Sequence, residues 1–363
     1  MNIGIHSRRL AVSGFSLIEL MIAMAISLIL LLGVTQIYLG TSATNRAQEG
    51  LSRVQENARF AIDSLSREIR MAGYNGCPRS KSPELSIMAN DADADFIFSG
   101  RSVIGVDNAA SAGTDFWLNG LPDNLEDEQP AIRVTFSSGS DIATIPDSFG
   151  NSAQLQIGSN EVGFRQNDFI TITDCETAHI AEITRNPQND DEDADKINIS
   201  HGNTGNSPHR WCDEPFEEDC NQNQAFQNYD DGAQAMQFYS YTFYLAENGS
   251  GAPSLYRRDD MRSGGEAEVR ELVENVEAMR IQYGEDTSGD FQVNRYRTAS
   301  QLSDNDWQNV LSVRISVLFA SDEVLSEARA TDFSLLGETI TTDADRRVRQ
   351  VATTTISLRN RLQ

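Results

Sequence analysis

The first 40 residues of the chain are dominated by one uninterrupted apolar run. Residues 15–39, FSLIELMIAMAISLILLLGVTQIYL, contain a single charged side chain, that of Glu19. A helix of this length measures about 37 Å, which is enough to cross a hydrocarbon core of about 30 Å. An acid inside a membrane-spanning helix costs roughly 2.5 to 3.5 kcal/mol. The run therefore predicts a transmembrane helix, and Glu19 is its candidate functional residue.

The helical pattern continues beyond the apolar run. No proline occurs before Pro78, and Gly73 is a suitable helix stop. We therefore expect one helix from Phe15 to Ala72, whose segment 40–73 is amphipathic and packs against the globular part of the same chain. Its apolar positions recur at intervals of three and four residues, and they are Ala47, Leu51, Val54, Ala58, Ile62, Leu65, Ile69 and Ala72.

Strand patterns follow the helix. Several segments are rich in β-branched and aromatic residues, mostly with alternating polarity. They predict an α+β fold, in which the long N-terminal helix packs against the antiparallel β-sheets of a large globular domain, residues 74–363. The polar, acidic stretch 186–231 is predicted to be a solvated insertion. The predicted strands are 131–136, 169–174, 238–245, 313–319 and 351–358.

Charge and cysteine content restrict the partners and the compartment. The chain has a net charge of −25, and residues 1–72 carry seven arginines against five acids, which leaves −27 on residues 73–363. A domain this acidic repels nucleic acid. Arg8 and Arg9 precede the apolar run without an acid, so the N-terminus is expected in the cytoplasm and the rest outside. The four cysteines all follow the run, which suits disulfides in an oxidising compartment.

Two simpler explanations of the N-terminus remain open at this point. The first is an ordinary signal peptide that is cut near Ala23 to Ala25, although the apolar run continues well past those alanines. The second is a simple membrane anchor, which leaves Glu19 without a role.

Candidate catalytic and metal-binding residues are few. Outside the leader the only histidines are His179, His201 and His209. A zinc site built from His201, His209, Cys212 and Cys220 would use suitable ligands, but their spacing matches no common pattern. We predict no enzyme activity, no metal site and no cofactor.

Calcium binding in acidic loops is the less favoured alternative to solvated turns. The segments DADAD (91–95) and DEDAD (191–195) lack the glycine and the final glutamate of an EF-hand loop. The segment DTSGD (286–290) is a short polar turn that could bind calcium together with other loops.

The segment SGFSLIELMIAMAI (13–26) resembles the type III signal of type IV pilins and pseudopilins, in which a short basic leader ends in glycine before a long apolar helix. The resemblance implies that prepilin peptidase removes residues 1–14 by cutting between Gly14 and Phe15, and that Phe15 is then N-methylated. It also implies that Glu19 pairs with the free amine of a neighbouring subunit. Two opposite charges in a low dielectric attract strongly, which offsets much of their desolvation.

Later segments resemble those of PilW-like minor pilins, and they occur in the same order. The J-type minor pseudopilins of type II secretion share the signal, but the long acidic insertions and the RNRL ending favour the pilus family. A membrane-anchored periplasmic binding protein or hydrolase is the alternative from another class. The resembling segments are REIRMAGYNGC (67–77), TDC (173–175), VENVEAMRIQYGED (273–286), DWQNVLSVRISVLF (306–319) and TTTISLRNRL (353–362).

The resemblance implies a minor pilin that helps to prime pilus assembly. It would act in a tip complex with other minor pilins, the major pilin and a tip adhesin. It would reside in the inner membrane with a periplasmic domain and then be extracellular in the pilus, and whether that pilus serves twitching, DNA uptake or adhesion is left open. Of three possible cysteine connectivities, the family-like contexts favour Cys77 with Cys175, and the short spacing favours Cys212 with Cys220.

Overall fold

A single helix forms the N-terminal part of the protein. The computed structural model describes residues 16–77, 85–87, 101–111, 118, 121–145, 154–175, 178–189, 197–200, 202, 232–260, 267–325 and 327–361. Helix α1 runs without interruption from Leu17 to Met71, which is 55 residues, or about 83 Å. Its N-terminal part is long and apolar enough to cross a membrane. The prediction of one continuous helix through the apolar run and the amphipathic segment is confirmed.

Gly73 ends α1 where the sequence predicted a stop. Its φ of +76° lies in the left-handed region, which favours glycine. A Cβ atom at this position would lie 3.0 Å from the Ser102 hydroxyl oxygen. The Gly73 N–H donates to the carbonyl of Thr135, with an N···O distance of 2.9 Å. The chain therefore leaves the helix directly into contact with the globular domain.

The described residues after the helix form mainly strands. These are β1 (Leu85–Ile87), β2 (Val103–Val106), β3 (Ala131–Thr144), β4 (Gln154–Ile157), β5 (Phe169–Thr173), β6 (Ala178–Glu182), β7 (Arg185–Asn189), β8 (Ile197–Ser200), β9 (Gln234–Glu247), β10 (Pro253–Asp259), β11 (Glu268–Glu274), β12 (Val276–Glu285), β13 (Arg295–Arg297), β14 (Val310–Glu323), β15 (Asp332–Leu335), β16 (Glu338–Thr341) and β17 (Arg347–Ser357).

The strands are arranged in three sheets and a hairpin. The large sheet has the order β1-β6-β5-β9-β10-β11, with β3 also paired to β9 and β2 paired to β3. The C-terminal sheet has the order β13-β12-β14-β17, the small sheet has the order β4-β8-β7, and β15 pairs with β16. Every pairing except that of β1 with β6 is antiparallel. The predicted α+β fold is confirmed.

The main hydrophobic core joins α1 to the large sheet and the C-terminal sheet. Helix residues such as Val54 and Leu65 share this core with Phe243 of β9 and Val317 of β14. A second core lies between the large sheet and the small sheet, and Ile199 of β8 is one of its fully buried members. The helix is thus held by one core, and the small sheet is held by the other.

The buried stripe of α1 differs from the predicted one at three positions, the first of which is Ala47, which is only half-buried. Leu51 is 39% exposed and Ile62 is only half-buried, whereas Gly50 and Ala61 are buried in their place. Gly50 is buried because α1 closely approaches the segment after β14 at this point. A Cβ atom on Gly50 would lie 3.0 Å from a Val324 methyl group. A residue without a side chain therefore faces the domain where α1 contacts this segment.

The prediction that residues 186–231 form a solvated insertion is wrong for two of its segments. Residues 186–189 belong to β7, and residues 197–200 form β8, which pairs with both β4 and β7. Pro187 is tolerated because β7 is an edge strand. β8 has only four residues, and Ile199 is its one fully buried side chain. The sequence of this strand therefore shows only a weak hydrophobic pattern. Residues 190–196, 201 and 203–231 lie outside the described residues.

Candidate functional site

The first half of α1 is bare apolar surface. Every residue from Ser16 to Thr41 is exposed, and Leu17, for example, is 77% exposed. A continuous apolar surface of this size marks contact with a membrane or with another protein. The chain's own domain begins to bury the helix only at Gly50. About half of the helix is therefore left for lipid or for other subunits to cover.

Glu19 lies in a capping box at the start of α1. The Ser16 N–H donates to Glu19 Oε2 at 3.0 Å, and the Glu19 N–H donates to Ser16 Oγ at 3.2 Å. These bonds satisfy two backbone donors that a helix N-terminus otherwise leaves free, and the helix dipole also stabilises an anion at this end. The carboxylate therefore has a partner inside its own chain.

Ser16 is a residue that the sequence analysis missed. The pattern Ser-x-x-Glu ahead of an apolar run is a recognised signal for a capping box and could have identified it. The predicted pairing of Glu19 with a neighbouring subunit's amine stays a prediction. The predicted cleavage site, Gly14 and Phe15, lies outside the described residues.

The second half of α1 is fixed to the domain by ion pairs as well as by its apolar stripe. Glu68 and Arg257 of β10 approach to 3.6 Å, and both side chains are largely buried. Burial raises the pKa of Glu68, while the guanidinium groups of Arg257 and Arg67 oppose that rise. Arg53 and Asp322 form a looser pair at 3.7 Å, and both of these side chains are well exposed.

The C-terminal residues clamp the end of α1. The Asn360 Nδ2 donates to the carbonyls of Met71 at 3.1 Å and Ala72 at 3.4 Å. The last carbonyls of a helix have no partner within the helix, so this amide caps them. Arg361 donates from Nη1 to the carbonyl of Trp307 at 2.6 Å and from Nε to Ser102 Oγ at 3.0 Å. Asn360 and Arg361 therefore hold the helix end to the region of the C-terminal sheet.

Asn360→Ala should lower the free energy of unfolding by about 1 kcal/mol, because the variant removes the side-chain donor to the Ala72 carbonyl and leaves the Met71 carbonyl with the Tyr74 N–H alone. The measurement is denaturant unfolding of the full chain in detergent, followed by tryptophan fluorescence. Arg359→Ala, at the exposed neighbouring position, is the matched control and should change stability by less than about 0.5 kcal/mol. Equal stability of the two variants would show that the cap contributes nothing.

A disulfide joins the residues just after α1 to the large sheet. Cys77 is bonded to Cys175, with a Cα–Cα distance of 5.4 Å. Cys175 lies two residues after the end of β5. The Cys77 sulfur also lies 3.3 Å from Thr173 Oγ1. The predicted Cys77–Cys175 bond is confirmed. Cys212 and Cys220 lie outside the described residues, and their bond stays a prediction.

The DTSGD turn is organised by its own first residue. Asp286 Oδ1 accepts from the N–H groups of Ser288 at 2.9 Å and Gly289 at 2.8 Å, and Oδ2 accepts from the Phe291 N–H at 2.8 Å. Partial burial would raise the pKa of Asp286, but these backbone donors outweigh it and lower the pKa. The carboxylate oxygens thus act as the hydrogen-bond acceptors that shape the turn.

The remaining candidate ligands are not brought together in the described part of the chain. His179 is buried at β6, and no group of three or more His, Cys, Asp or Glu side chains among the described residues could hold a metal ion. The acidic segments 91–95 and 191–195, together with His201 and His209, lie outside the described residues. The expectation of no metal and no cofactor stays a prediction.

Two family models match the chain. Residues 242–360 match the family described as Type IV Pilus-assembly protein W, and residues 9–35 match the Prokaryotic N-terminal methylation motif. The first match extends from within β9 to Asn360, which caps the end of α1. The second covers the predicted leader end, Glu19 and most of the apolar half of α1.

Individual proteins of known sequence or structure resemble the chain only distantly. No curated protein is significantly similar to the chain. Among solved structures, the type IV-like pilin TTHA1219 from Thermus thermophilus is 10% identical over 86% of this chain and 98% of that chain, with a TM-score of 0.36. A similarity this low carries no argument here. The methylation motif at the start of α1 and the PilW match through the C-terminal sheet together support a type IV pilus minor pilin of the PilW family.

Proposed function

We propose that the protein is a minor pilin that helps to prime pilus assembly and forms part of a tip complex. The observation that supports this most directly is the division of α1 into a bare apolar half and a half fixed to the domain. In the membrane, lipid covers the bare half. In a filament, the apolar halves of other pilins cover it, so the same surface serves both locations.

The proposed location follows from the charge distribution around the apolar run. Arg8 and Arg9 keep the leader in the cytoplasm, and the domain of net charge −27 lies in the periplasm before assembly and outside the cell afterwards. The proposed partners are other minor pilins, the major pilin, a tip adhesin and, during maturation, prepilin peptidase. The role is structural rather than catalytic, and no nucleic acid is expected to bind the acidic domain.

The N-terminus of the mature protein tests the proposal. Mass spectrometry of the chain from membranes and from sheared filaments should find N-methylated Phe15 as the first residue, with few copies per filament. Deleting the gene should reduce the number of surface filaments. Gly14→Ser should leave the basic leader attached, visible as a larger precursor on a gel, and should keep the chain out of filaments.

Three outcomes would contradict the proposal. A cut near Ala25 would indicate an ordinary signal peptide, and an intact leader on the wild-type chain would indicate a simple anchor. A deletion that leaves filaments normal but stops protein secretion would indicate a pseudopilin.

A further inference from the structure

A polar cleft of about 390 Å³ opens on the face of the large sheet that packs against α1. Tyr239 and Tyr241 of β9 form its floor, and they lie opposite Phe136 and Val134 of β3 in the main core. Further along the same strand, Ala235 belongs to the second core, beneath the small sheet. The cleft thus lies where one sheet face passes from one core to the other, and junctions between packed units commonly hold ligand sites.

The floor of the cleft is held in place by α1. Arg257 lies over the Tyr241 ring at 4.3 Å from its centroid and pairs with Glu68 of the helix at 3.6 Å. The Tyr239 and Tyr241 ring centroids are 5.3 Å apart, and Tyr239 remains partly exposed. A rigid aromatic floor loses little side-chain entropy when a ligand binds.

The charged side chains that line the cleft balance one another. Three arginines and three acids line it, so it is locally neutral within a domain of net charge −27. The local charge therefore favours neither an anion nor a cation. The arginines are Arg165, Arg257 and Arg270, and the acids are Asp168, Asp259 and Glu268.

This combination of groups suits a neutral ligand with many hydroxyls. Guanidinium groups only donate hydrogen bonds and carboxylates only accept them, whereas a hydroxyl does both. The carboxamide of Gln237 at the floor donates one N–H to the Phe169 carbonyl at 3.2 Å, and its second N–H and its oxygen add a donor and an acceptor. Aromatic rings such as Tyr239 provide apolar area beside a polar hydroxyl, which matches the C–H face and the hydroxyl rim of a sugar ring.

We infer that this cleft binds a neutral saccharide. Its volume lies at the lower end of the roughly 300 to 1,000 Å³ that is typical of small-molecule sites. The inference goes beyond the proposed function, because a pilus subunit needs no saccharide site to assemble. Saccharide binding by a subunit at a filament tip would bring the filament into contact with glycan-coated surfaces.

The test uses the full chain in a detergent that has no sugar head group. Chitotriose, maltotriose and mannotriose are the probes, measured by saturation-transfer NMR and calorimetry. We expect at least one to bind with a Kd below about 1 mM. Arg165→Ala and Arg270→Ala change exposed side chains at opposite walls, and each should weaken binding by about tenfold, the loss expected for a charge-assisted hydrogen bond.

Arg329→Ala is the matched control, since Arg329 is also exposed but does not line the cleft, and this variant should bind the probes as the wild type does. Three results would each overturn the inference: no binding of any neutral probe at about 10 mM, unchanged binding in both cleft variants, or binding of a sialylated trisaccharide or a peptide in place of the neutral probes. Filament incorporation is scored separately. If no saccharide binds but the chain is incorporated into filaments normally, the proposed function therefore still holds.

Discussion

Cys77→Ser combined with Cys175→Ser is expected to lower the free energy of unfolding by about 4 to 5 kcal/mol. The bond closes a loop with a sequence separation of 98 residues, for which the chain-entropy model gives about 4.7 kcal/mol. It also ties the end of α1 to β5, so its loss should loosen the helix from the large sheet. Denaturant unfolding of the full chain in detergent measures the change.

The other predicted bond provides the comparison for this experiment. Cys212 and Cys220 would close a much shorter loop, worth about 2.5 kcal/mol on the same model. The double serine variant at these two positions should therefore be less destabilised than the variant at Cys77 and Cys175. If loss of the long bond changes stability by less than about 1 kcal/mol, the bond does not hold the helix end in place.

Glu19→Ala is expected to reduce incorporation into filaments by about 100-fold, while export, cleavage and folding stay normal. Breaking one partner of a buried ion pair costs about 3 to 5 kcal/mol, and 3 kcal/mol already corresponds to more than a hundredfold in an equilibrium constant. The domain should fold normally because its core begins at Gly50. The chain in sheared filaments and with its minor-pilin partners is quantified by immunoblotting against the membrane pool.

The capping box makes a sharper version of this experiment possible. Glu19→Gln keeps a side chain that can cap the helix but removes its charge, whereas Ser16→Ala removes the cap and keeps the charge. If Glu19 neutralises a neighbouring subunit's amine, Glu19→Gln should be incorporated into filaments as poorly as Glu19→Ala. Ser16→Ala should be incorporated normally. The reverse pattern would refute the charge pair and assign Glu19 to helix capping alone.

Local patterns predicted the helix and the more regular strands, and packing explains the strands that they missed. All five predicted strands are present; β3, β9 and β14 extend beyond their predicted ends, and β17 begins four residues before its predicted start. β10 was missed because Arg257, Arg258 and Asp259 follow one another, which does not look like a buried strand. The fold accommodates this segment by pairing Arg257 with Glu68 and Arg258 with Asp260. Neither partnership can be inferred from spacing along the chain.

The same distinction applies to the functional regions. Glu19 stands out in the sequence because a lone acid in an apolar run is rare, and Ser16 could have been found from its spacing to Glu19. The cleft could not have been found in this way. Its arginines, Arg165, Arg257 and Arg270, come from a loop and two strands that meet only through the register of the large sheet.

The sequence by itself determined the length of α1, its division into apolar and amphipathic halves, and the acidity of the domain. These features depend on residue type and on periods of three and four, which act within a few turns of helix. Only the tertiary structure decided the order of the strands and the capping of α1 by Asn360, 288 residues away from Ala72. Those contacts depend on how distant surfaces pack and on the register between strands, and no local period encodes either of them.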